Sequence, residues 1–236
     1  MINDSAVEVA AVLFDMDGTL VDSTAFVERL WTSFANTFNL DAEEVIRRSR
    51  GRQIVDTVSE FLPQLPDEHR RSIVAGLMRE EADNVTGILE IPHAQHAMAK
   101  LMESGIPVAL VTSAVRELAV ARMRAAAVPM PPVVVSAEDV GRGKPAPDGY
   151  LLAAELLGVD VAACVVFEDA EAGIASGLNA GAQTVVVGEH SSSATTRLGR
   201  LRDWSTLRVQ RARIVSVRPS WILLWNDDSP SGSKAT

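Results

Sequence analysis

Two aspartates separated by one residue follow an apolar run near the start of the chain. The run from Val9 to Phe14 is continued by Asp15 and Asp17, and Gly18 then allows the chain to turn sharply. A buried strand that ends in two like charges needs a compensating cation, because both carboxylates lose solvation there. Oxygen donors of this kind suit a hard cation such as Mg²⁺. The pattern predicts a magnesium site that takes the Asp15 carboxylate and the Asp17 backbone carbonyl.

Other apolar runs also end in polar residues. Thr112 ends one of them, and the acidic pair Glu168 and Asp169 ends another. Ligands of open α/β sheets bind beyond the carboxyl ends of the strands. Because the carboxyl ends of parallel strands share one edge of the sheet, we expect these residues to gather around Asp15 in a single site.

The elements that must position these residues alternate between strand and helix, which predicts an α/β fold built on a doubly wound, Rossmann-like parallel sheet. Short runs of β-branched and aliphatic residues indicate buried strands at Val9 to Phe14, Val108 to Val111, Val133 to Val135, Cys164 to Phe167 and Thr184 to Val187. Helices on both faces of this sheet are predicted from Pro92 to Gly105, Arg116 to Ala127, Asp148 to Leu157 and Ala170 to Ala180.

One interval breaks the alternation, since residues 23–84 hold only helical patterns. The predicted helices are Ala25 to Phe38, Ala42 to Ser49, Ile54 to Leu62 and Glu68 to Ala82. Asp41 followed by Glu44 resembles a capping box, and Gly51 is placed to end that helix. We interpret residues 22–85 as a small all-helical cap, inserted through hinges at 20–23 and 85–91 into a core of residues 1–21 and 86–225. Residues 226–236 are predicted to form a disordered tail.

The composition excludes several classes of function. A net charge of −9 over 236 residues argues against a nucleic-acid partner, since such binding depends on basic residues. No apolar run approaches the roughly 20 residues of a membrane span, and the N-terminus lacks the pattern of a secretory signal. The single cysteine, Cys164, cannot form an intrachain disulfide, which suits a reducing cytoplasm. We therefore expect a cytoplasmic protein with no membrane or nucleic-acid partner.

The chain after Val187 shows a weaker pattern. Residues 197–218 carry seven arginines against one acidic residue, which indicates a solvated surface. Trp204, Trp221 and Trp225 indicate that part of this segment nevertheless packs on the core.

The sequence from Phe14 to Ser23 resembles the first motif of the haloacid dehalogenase superfamily. Segments similar to the later motifs follow in the same order, at Leu110 to Ser113, Gly143 to Pro147 and Val166 to Gly173. The resemblance extends over about residues 9–190. It implies the α/β core of that superfamily, with the helical cap inserted after the first motif.

The resemblance implies a role for each matching residue. Asp15 is expected to be the nucleophile and Asp17 the general acid and base. Thr112 is expected to hydrogen-bond the phosphate of the substrate, and Lys144 to neutralise its charge. The remaining implied roles are metal binding by Glu168 and Asp169 together with Asp15 and Asp17, and phosphate contact through backbone amides near Gly18 and Ser113.

These implied roles describe a Mg²⁺-dependent phosphatase that acts on a small phosphorylated metabolite. A dehalogenase is not expected to carry Asp17, because a halide leaving group needs neither a proton nor magnesium. Phosphoryl transfer through an aspartyl-phosphate on Asp15 is therefore preferred over dehalogenation.

Within the superfamily, the chain resembles the branch that contains glycerol phosphatases, 2-deoxyglucose-6-phosphatases and other sugar phosphatases. The similarity lies in Gly51 and Arg52 followed by Asp56, in Val111 to Ser113 with Arg116, and in Ser136 to Tyr150. The chain departs from that branch at Arg50, His93, Ala114 and Glu171. Glycerol phosphate and sugar phosphates therefore both stay open as substrates.

The turn Arg50-Gly51-Arg52 joins two predicted helices of the cap. It resembles the loop that faces the active site in helically capped members, so either arginine is expected to bind a hydroxyl or a second phosphate of the substrate. The alternative interpretation is a solvated helix end.

Two other functions stay open. A phosphomutase resembling β-phosphoglucomutase shares these motifs, but the histidine of its cap has no counterpart within Thr24 to Glu28. A catalytically silent binding or regulatory protein would share the fold, but the intact Asp15, Asp17, Lys144 and Asp169 count against it.

We expect the protein to be a monomer or a homodimer.

Overall fold

The computed structural model describes residues 4–212 and 220–226, and its strands confirm an α/β fold. The strands are β1 (Asp4–Val9), β2 (Ala11–Phe14), β3 (Val21–Asp22), β4 (Leu89–Glu90), β5 (Val108–Val111), β6 (Val133–Val135), β7 (Cys164–Glu168), β8 (Gln183–Val187), β9 (Gly199–Leu201), β10 (Arg208–Arg211) and β11 (Trp221–Asn226). Six of them form a parallel sheet in the order β6-β5-β2-β7-β8-β9.

Eight α-helices accompany these strands in the described residues. They are α1 (Thr24–Phe38), α2 (Ala42–Ser49), α3 (Ile54–Phe61), α4 (Asp67–Asp83), α5 (Ala94–Glu103), α6 (Arg116–Ala125), α7 (Asp148–Leu157) and α8 (Glu171–Ala180). All eight predicted helices therefore begin and end within two residues of their expected bounds. None of the described helices has the length and apolar composition needed to cross a bilayer.

Strand β2 lies in the middle of the parallel sheet and is buried on both faces. Successive side chains of a strand point to opposite faces, and Val12 and Phe14 accordingly join one hydrophobic cluster while Ala11 and Leu13 join another. Helices α5 and α6 cover the first face, and α7 and α8 cover the second. This double burial explains why the parallel strands are continuous apolar runs without polar alternation.

The carboxyl ends of β2, β5 and β7 meet at one edge of the sheet. Phe14 lies opposite Leu110 of β5 and Phe167 of β7. The residues that follow these partners are therefore neighbours in space, although they are far apart in the sequence. The sheet brings Asp15, Thr112 and the pair Glu168–Asp169 together in this way.

Helices α1 to α4 form a separate hydrophobic cluster around Leu30, Trp31 and Phe34. The chain enters and leaves this helical segment, residues 24–83, through the antiparallel pair β3 and β4. Asp41 caps α2, since its side chain accepts hydrogen bonds from the backbone amides of residues 43 and 44. The reciprocal half of a capping box does not form, because the Glu44 carboxylate pairs with Arg47 instead.

A second, antiparallel sheet in the order β1-β11-β10 was absent from the sequence prediction. The predicted strand from Val9 to Phe14 is divided at Ala10, where the chain passes from this sheet into the parallel one. Trp221, Leu223 and Trp225 of β11 are buried on one face, and Trp204 is also buried. The prediction that these tryptophans pack on the core is confirmed.

The predicted C-terminal tail and the arginine-rich segment overlap these strands. Asn226, assigned to the tail from the sequence, ends β11 opposite Asp4. Strands β9 and β10 lie within residues 197–218, and Arg200 is buried, so that segment is more than a solvated surface. Residues 213–219 and 227–236 lie outside the described part of the chain.

Helix α6 ends earlier than predicted, and its end offers a test of backbone strain. Ala127 has φ +55°, and the amide of Val128 donates to the carbonyl of Met123. This left-handed conformation costs a residue with a Cβ about 1 kcal/mol. We expect Ala127→Gly to raise the free energy of unfolding by about 0.5 kcal/mol, because glycine removes that cost but adds chain entropy.

Chemical denaturation of the wild-type protein and of Ala127→Gly would measure this difference in the free energy of unfolding. Ala125→Gly is the matched control: it lies in the last turn of the same helix, so its free energy of unfolding should fall by up to about 1 kcal/mol. A loss of stability in Ala127→Gly as large as that in Ala125→Gly would contradict the left-handed conformation of Ala127.

Candidate active site

A buried lysine joins two of the predicted acidic residues. Lys144 Nζ lies 2.5 Å from Asp15 Oδ1 and 2.7 Å from Glu168 Oε1, and it also donates to the backbone carbonyl of Val111 at 3.0 Å. All three charged side chains are buried, at 6% exposure or less. An ammonium has three donors, and these three acceptors use them all, so the position of Lys144 is fully determined by its hydrogen bonds.

Glu168 is held on one side only. Its Oε1 accepts a hydrogen bond from the Tyr150 hydroxyl at 2.7 Å in addition to that from Lys144. Among the described residues, neither Glu168 Oε2 nor Asp169 Oδ1 has a hydrogen-bond partner, although both atoms are buried. Unpaired buried carboxylate oxygens are costly. They therefore indicate a group that the protein side chains do not supply.

Asp15, Glu168 and Asp169 are arranged to hold a cation. Each offers one carboxylate oxygen, and these three atoms lie within 4.8 Å of one another. Hard divalent cations prefer such an all-oxygen set. The carboxylate cluster and its unpaired oxygens therefore fit the predicted Mg²⁺, and the aspartate and glutamate residues expected at the site from β2 and β7 are in place.

Two glycines make room for these carboxylates. A Cβ on Gly18 would lie 2.1 Å from Asp169 Oδ2, and Gly18 has φ +88°. A Cβ on Gly173, in α8, would lie 1.8 Å from Glu168 Oε1. Any side chain at either position would displace a carboxylate of the site.

The electrostatics of the site favour proton or cation uptake. Burial and the charge of Glu168 raise the pKa of Asp15 to about 7, although Lys144 opposes this shift. Burial, followed by the charges of Asp15 and Glu168, raises the pKa of Asp169 well above its usual value. Burial favours proton loss from Lys144, but the charges of Asp15 and Glu168 outweigh it and raise its pKa. The lysine is therefore a permanent cation, and a second cation would relieve the remaining repulsion.

Asp17 lies apart from the carboxylate cluster. Its Oδ1 accepts a hydrogen bond from Ser23 Oγ at 2.6 Å, and its Oδ2 accepts one from Arg122 Nη1 at 2.8 Å. The side chain is 28% exposed and lines the same cavity as Asp15. The Asp17 side chain is thus separate from the cluster of Asp15, Glu168 and Asp169.

Thr112 and Ser113 follow β5 and line that cavity too. Thr112 Oγ1 accepts a hydrogen bond from the Ala114 amide at 3.1 Å, so its own hydroxyl proton stays available to an acceptor. Ser113 Oγ donates to the carbonyl of Gly51 at 2.9 Å. The loop after β5 therefore contacts the helical segment as well as the cavity.

The two predicted arginines of the helical segment both reach the cavity. Arg50 pairs with Glu28 at 3.2 Å and its side chain is 52% exposed, whereas Arg52 pairs with Glu60 and is 21% exposed. Between them, Gly51 has φ +72°, and a Cβ there would lie 2.9 Å from that of Ala170. The backbone of the turn at Gly51 therefore lies against the loops that follow β5 and β7, while the Arg50 side chain stays largely exposed.

Arg122 is a residue of this site that the sequence prediction missed. It lines the cavity from α6 and is only 2% exposed, and its guanidinium binds Asp17 and Glu81. A signal was present in the sequence, because Arg122 lies three and four residues after the buried Ala119 and Leu118. A cation on the apolar stripe of a helix needs a buried partner.

Comparison with protein-family models gives one match that covers most of the chain. Residues 9–181 match the haloacid dehalogenase-like hydrolase model. This range includes all four motifs and the helical segment between the first two.

Curated relatives include phosphatases of small metabolites. Hexitol phosphatase A of Escherichia coli is 43% identical over 74% of this chain and 81% of its own length. In Saccharomyces cerevisiae, glycerol-1-phosphate phosphohydrolase 1 is 31% identical over 76% and 75% of the two chains, and 2-deoxyglucose-6-phosphate phosphatase 1 is 32% identical over 73% and 77%.

Solved structures share the fold at low sequence identity. β-Phosphoglucomutase from Clostridium difficile has a TM-score of 0.74 and is 17% identical over 83% of this chain and 91% of its own. The chain thus belongs to the haloacid dehalogenase-like hydrolase family, with the phosphatase resemblance seen in its motifs confirmed, and its enzyme class is that of a phosphoric monoester hydrolase.

Proposed function

We propose that this protein is a Mg²⁺-dependent phosphatase of polyol or sugar phosphates that works through an aspartyl-phosphate on Asp15. The observation that carries the proposal is the contact of Asp15 with Lys144, beside carboxylate oxygens that have no hydrogen-bond partner among the described residues. A nucleophile, a fixed cation and a cation site thereby converge on one edge of the sheet. The phosphatases among the relatives support the same reaction class.

Asp15 is the proposed nucleophile. Lys144 holds its Oδ1 and leaves the second carboxylate oxygen to attack phosphorus in line with the leaving alcohol. As the new Asp15–phosphorus bond forms, the bond from phosphorus to the substrate oxygen breaks. Lys144 and the Thr112 hydroxyl stabilise the negative charge on the phosphoryl oxygens through this step.

Asp17 is the proposed proton carrier. It gives its proton to the leaving alkoxide in the first step, and in the second it takes a proton from the water that attacks the aspartyl-phosphate. That attack breaks the Asp15–phosphorus bond and releases inorganic phosphate, so both aspartates return to their starting states. The position of Asp17 outside the carboxylate cluster supports this role, because its side chain stays free to exchange protons.

Asp15, Glu168, Asp169 and the backbone carbonyl of Asp17 are the proposed Mg²⁺ ligands. When bound, the ion supplies positive charge that neutralises the phosphate dianion and the clustered carboxylates. Gly18 and Gly173 keep this cluster open, since a side chain at either position would fill it.

Residues 22–85 are the proposed cap, on a core formed by 1–21 and 86–225. The cap carries Arg50 and Arg52 to the cavity that Asp15 lines, so one of them is placed to bind a hydroxyl or a second phosphate of the substrate. Arg50 is the more exposed of the two and its pairing with Glu28 is the more easily exchanged for a ligand. The backbone amides near Gly18 and Ser113 complete the proposed phosphate contacts.

Release of inorganic phosphate from a substrate panel tests this function. The panel contains hexitol phosphates, glycerol phosphates, hexose 6-phosphates, 2-deoxyglucose 6-phosphate and nucleotides, each with Mg²⁺ and with a chelator. We expect Mg²⁺-dependent release from polyol or sugar phosphates. Conversion of β-glucose 1-phosphate to its 6-phosphate without release would instead identify a phosphomutase, and no turnover of any compound would identify a silent binding protein.

Mg²⁺ binding should depend on pH in a defined direction. Asp15, whose pKa is raised to about 7, and Asp169, whose pKa is also raised, hold protons in the metal-free fold that a cation must displace. We therefore expect Mg²⁺ to raise the melting temperature more at about pH 8 than at about pH 6. The chelated protein at each pH provides the baseline, and an equal or larger rise at the lower pH would refute the proposed ligands.

A further inference from the structure

Arg122 is a buried cation that binds two acidic residues from different parts of the chain. Its Nη1 lies 2.8 Å from Asp17 Oδ2, and its Nη2 lies 3.1 Å from Glu81 Oε1. Its side chain is 3% exposed, and its Nε has no hydrogen-bond partner among the described residues. The aromatic ring of Phe26 lies 6.0 Å from the guanidinium carbon. The guanidinium is thus surrounded by the site and by the helical segment.

The three residues connect the loop after β2 with two helices. Asp17 follows β2, Arg122 lies in α6 on the face of the parallel sheet, and Glu81 lies near the end of α4 in the helical segment. Within the described residues, Arg122 is therefore a direct ionic link between the proposed proton carrier and the proposed cap.

The two oxygens of Asp17 have different partners. Ser23 Oγ, immediately before the helical segment, donates to Oδ1, while Arg122 donates to Oδ2. Two hydrogen bonds to different oxygens fix both the position and the plane of a carboxylate. Arg122 also has a planar fork of donors, which a lysine could not reproduce. A buried ion pair is weak evidence for added stability, so geometry is the property that this arrangement supplies.

We propose that Arg122 is a positioning residue that orients Asp17 for proton transfer and, through Glu81, couples this orientation to the seating of α4. The inference rests on the proposed function, because it assigns Asp17 the role of proton carrier. Arg122 itself does not contact the phosphorus or the leaving oxygen in this account.

Substrates with different leaving groups test this role. An alkyl phosphate such as a hexitol phosphate releases an alkoxide that needs a proton, whereas p-nitrophenyl phosphate releases an anion that is stable without one. We expect Arg122→Gln to lower kcat/KM by about 10²-fold for the alkyl phosphate, as misplacement of a catalytic group does, and by only a few-fold for the aryl phosphate. kcat/KM is the informative constant because it excludes hydrolysis of the aspartyl-phosphate.

Glu81→Gln tests the coupling between α4 and the orientation of Asp17. It also provides a second test of the proposal if Arg122→Gln does not fold. It keeps the size of the side chain but removes its charge, and we expect the same selective loss on the alkyl phosphate, about 10-fold. The double variant should lose less than the product of the two single losses, because both act through one interaction. Arg122→Lys should recover part of the loss, since it restores the charge without the fork.

The controls separate this inference from the proposed function. Arg124→Gln, on the exposed side of the same helix, should keep the wild-type activity on both substrates. Equal losses on alkyl and aryl phosphates, or a gain on the alkyl phosphate, would overturn the positioning role of Arg122. An unchanged Glu81→Gln would overturn the coupling. A wild-type protein that releases no phosphate at all would instead remove the proposed function.

Discussion

Asp15→Asn should lower kcat by on the order of 10⁵-fold, the size of loss seen when a covalent nucleophile is removed. An amide at this position can still accept the hydrogen bond from Lys144, which lies 2.5 Å from Asp15 Oδ1. It cannot form an acyl phosphate, because the uncharged amide does not displace an alkoxide. The fold should persist, since the change removes one charge from a cluster whose repulsion already raises the pKa of Asp15 to about 7.

Phosphate release at saturating substrate and Mg²⁺ would measure this loss, and thermal unfolding would check the fold. Asp15→Ala is the companion variant, because an asparagine can revert to aspartate by deamidation and an alanine cannot. Retention of more than a few per cent of kcat in Asp15→Ala would contradict the nucleophile assignment.

Lys144→Met should lower kcat/KM by about 10³-fold near neutral pH, the loss expected when a preorganised charge is removed from a site that stabilises an anionic transition state. The lysine is also the group that lowers the pKa of Asp15 against burial and Glu168. Without it, that pKa rises further, and a larger fraction of Asp15 is protonated and cannot attack. The activity lost should therefore be partly regained as the pH is raised.

Measurement of kcat/KM over a series of pH values for the wild type and Lys144→Met would test whether activity is regained at higher pH. Lys100→Met removes an exposed lysine in α5 and should leave the profile unchanged. Lys144→Arg keeps the charge, but a planar guanidinium does not fit three acceptors arranged around one ammonium nitrogen, so we expect it to regain little activity. If the ratio of wild-type kcat/KM to that of Lys144→Met stays constant with pH, Lys144 does not control the protonation of Asp15.

The strands of the parallel sheet and the edge that carries the candidate site were predictable from the sequence. Burial on both faces of the sheet makes each strand a continuous apolar run. Runs such as Ala11 to Phe14 and Cys164 to Phe167 contain no polar residue, and the first polar side chain after each run marks the end of a strand. The register of the sheet then places Asp15 beside Glu168 without further information. Local patterns therefore predict the strand ends, whereas the pairing of β2 with β7 that brings Asp15 to Glu168 and Asp169 is a property of the fold.

The antiparallel sheet was missed because its signal depends on contacts between distant parts of the chain. Strand β1 joins directly to the apolar run of β2, so Val9 looks like part of one continuous strand. The pairing of β1 with β11 links residues that are more than 200 positions apart, such as Asp4 with Asn226. A single sequence carries no signal for such a pairing.

The link from Arg122 to Asp17 and Glu81 was missed for a similar reason. Its position on the buried stripe of α6 indicates that the arginine needs a partner, but it does not indicate which one. The partners come from β2's loop and from the inserted helices, and only the fold brings them to the guanidinium. Tyr150 is comparable, since it ends the segment from Ser136 to Tyr150 that resembles the sugar phosphatases, but the sequence does not indicate its hydrogen bond to Glu168.

Trapping of the phosphorylated enzyme would show whether Asp15 forms the proposed aspartyl-phosphate. The protein is mixed with Mg²⁺ and a sugar or polyol phosphate that it hydrolyses, and the reaction is quenched during the steady state. Borohydride is then added, which reduces an acyl phosphate to an alcohol. We expect peptide mass spectrometry to find Asp15 converted to homoserine, with Asp17 and Asp169 unchanged and no conversion in the chelated control. Conversion of a different aspartate, or steady turnover with no converted residue, would contradict the account.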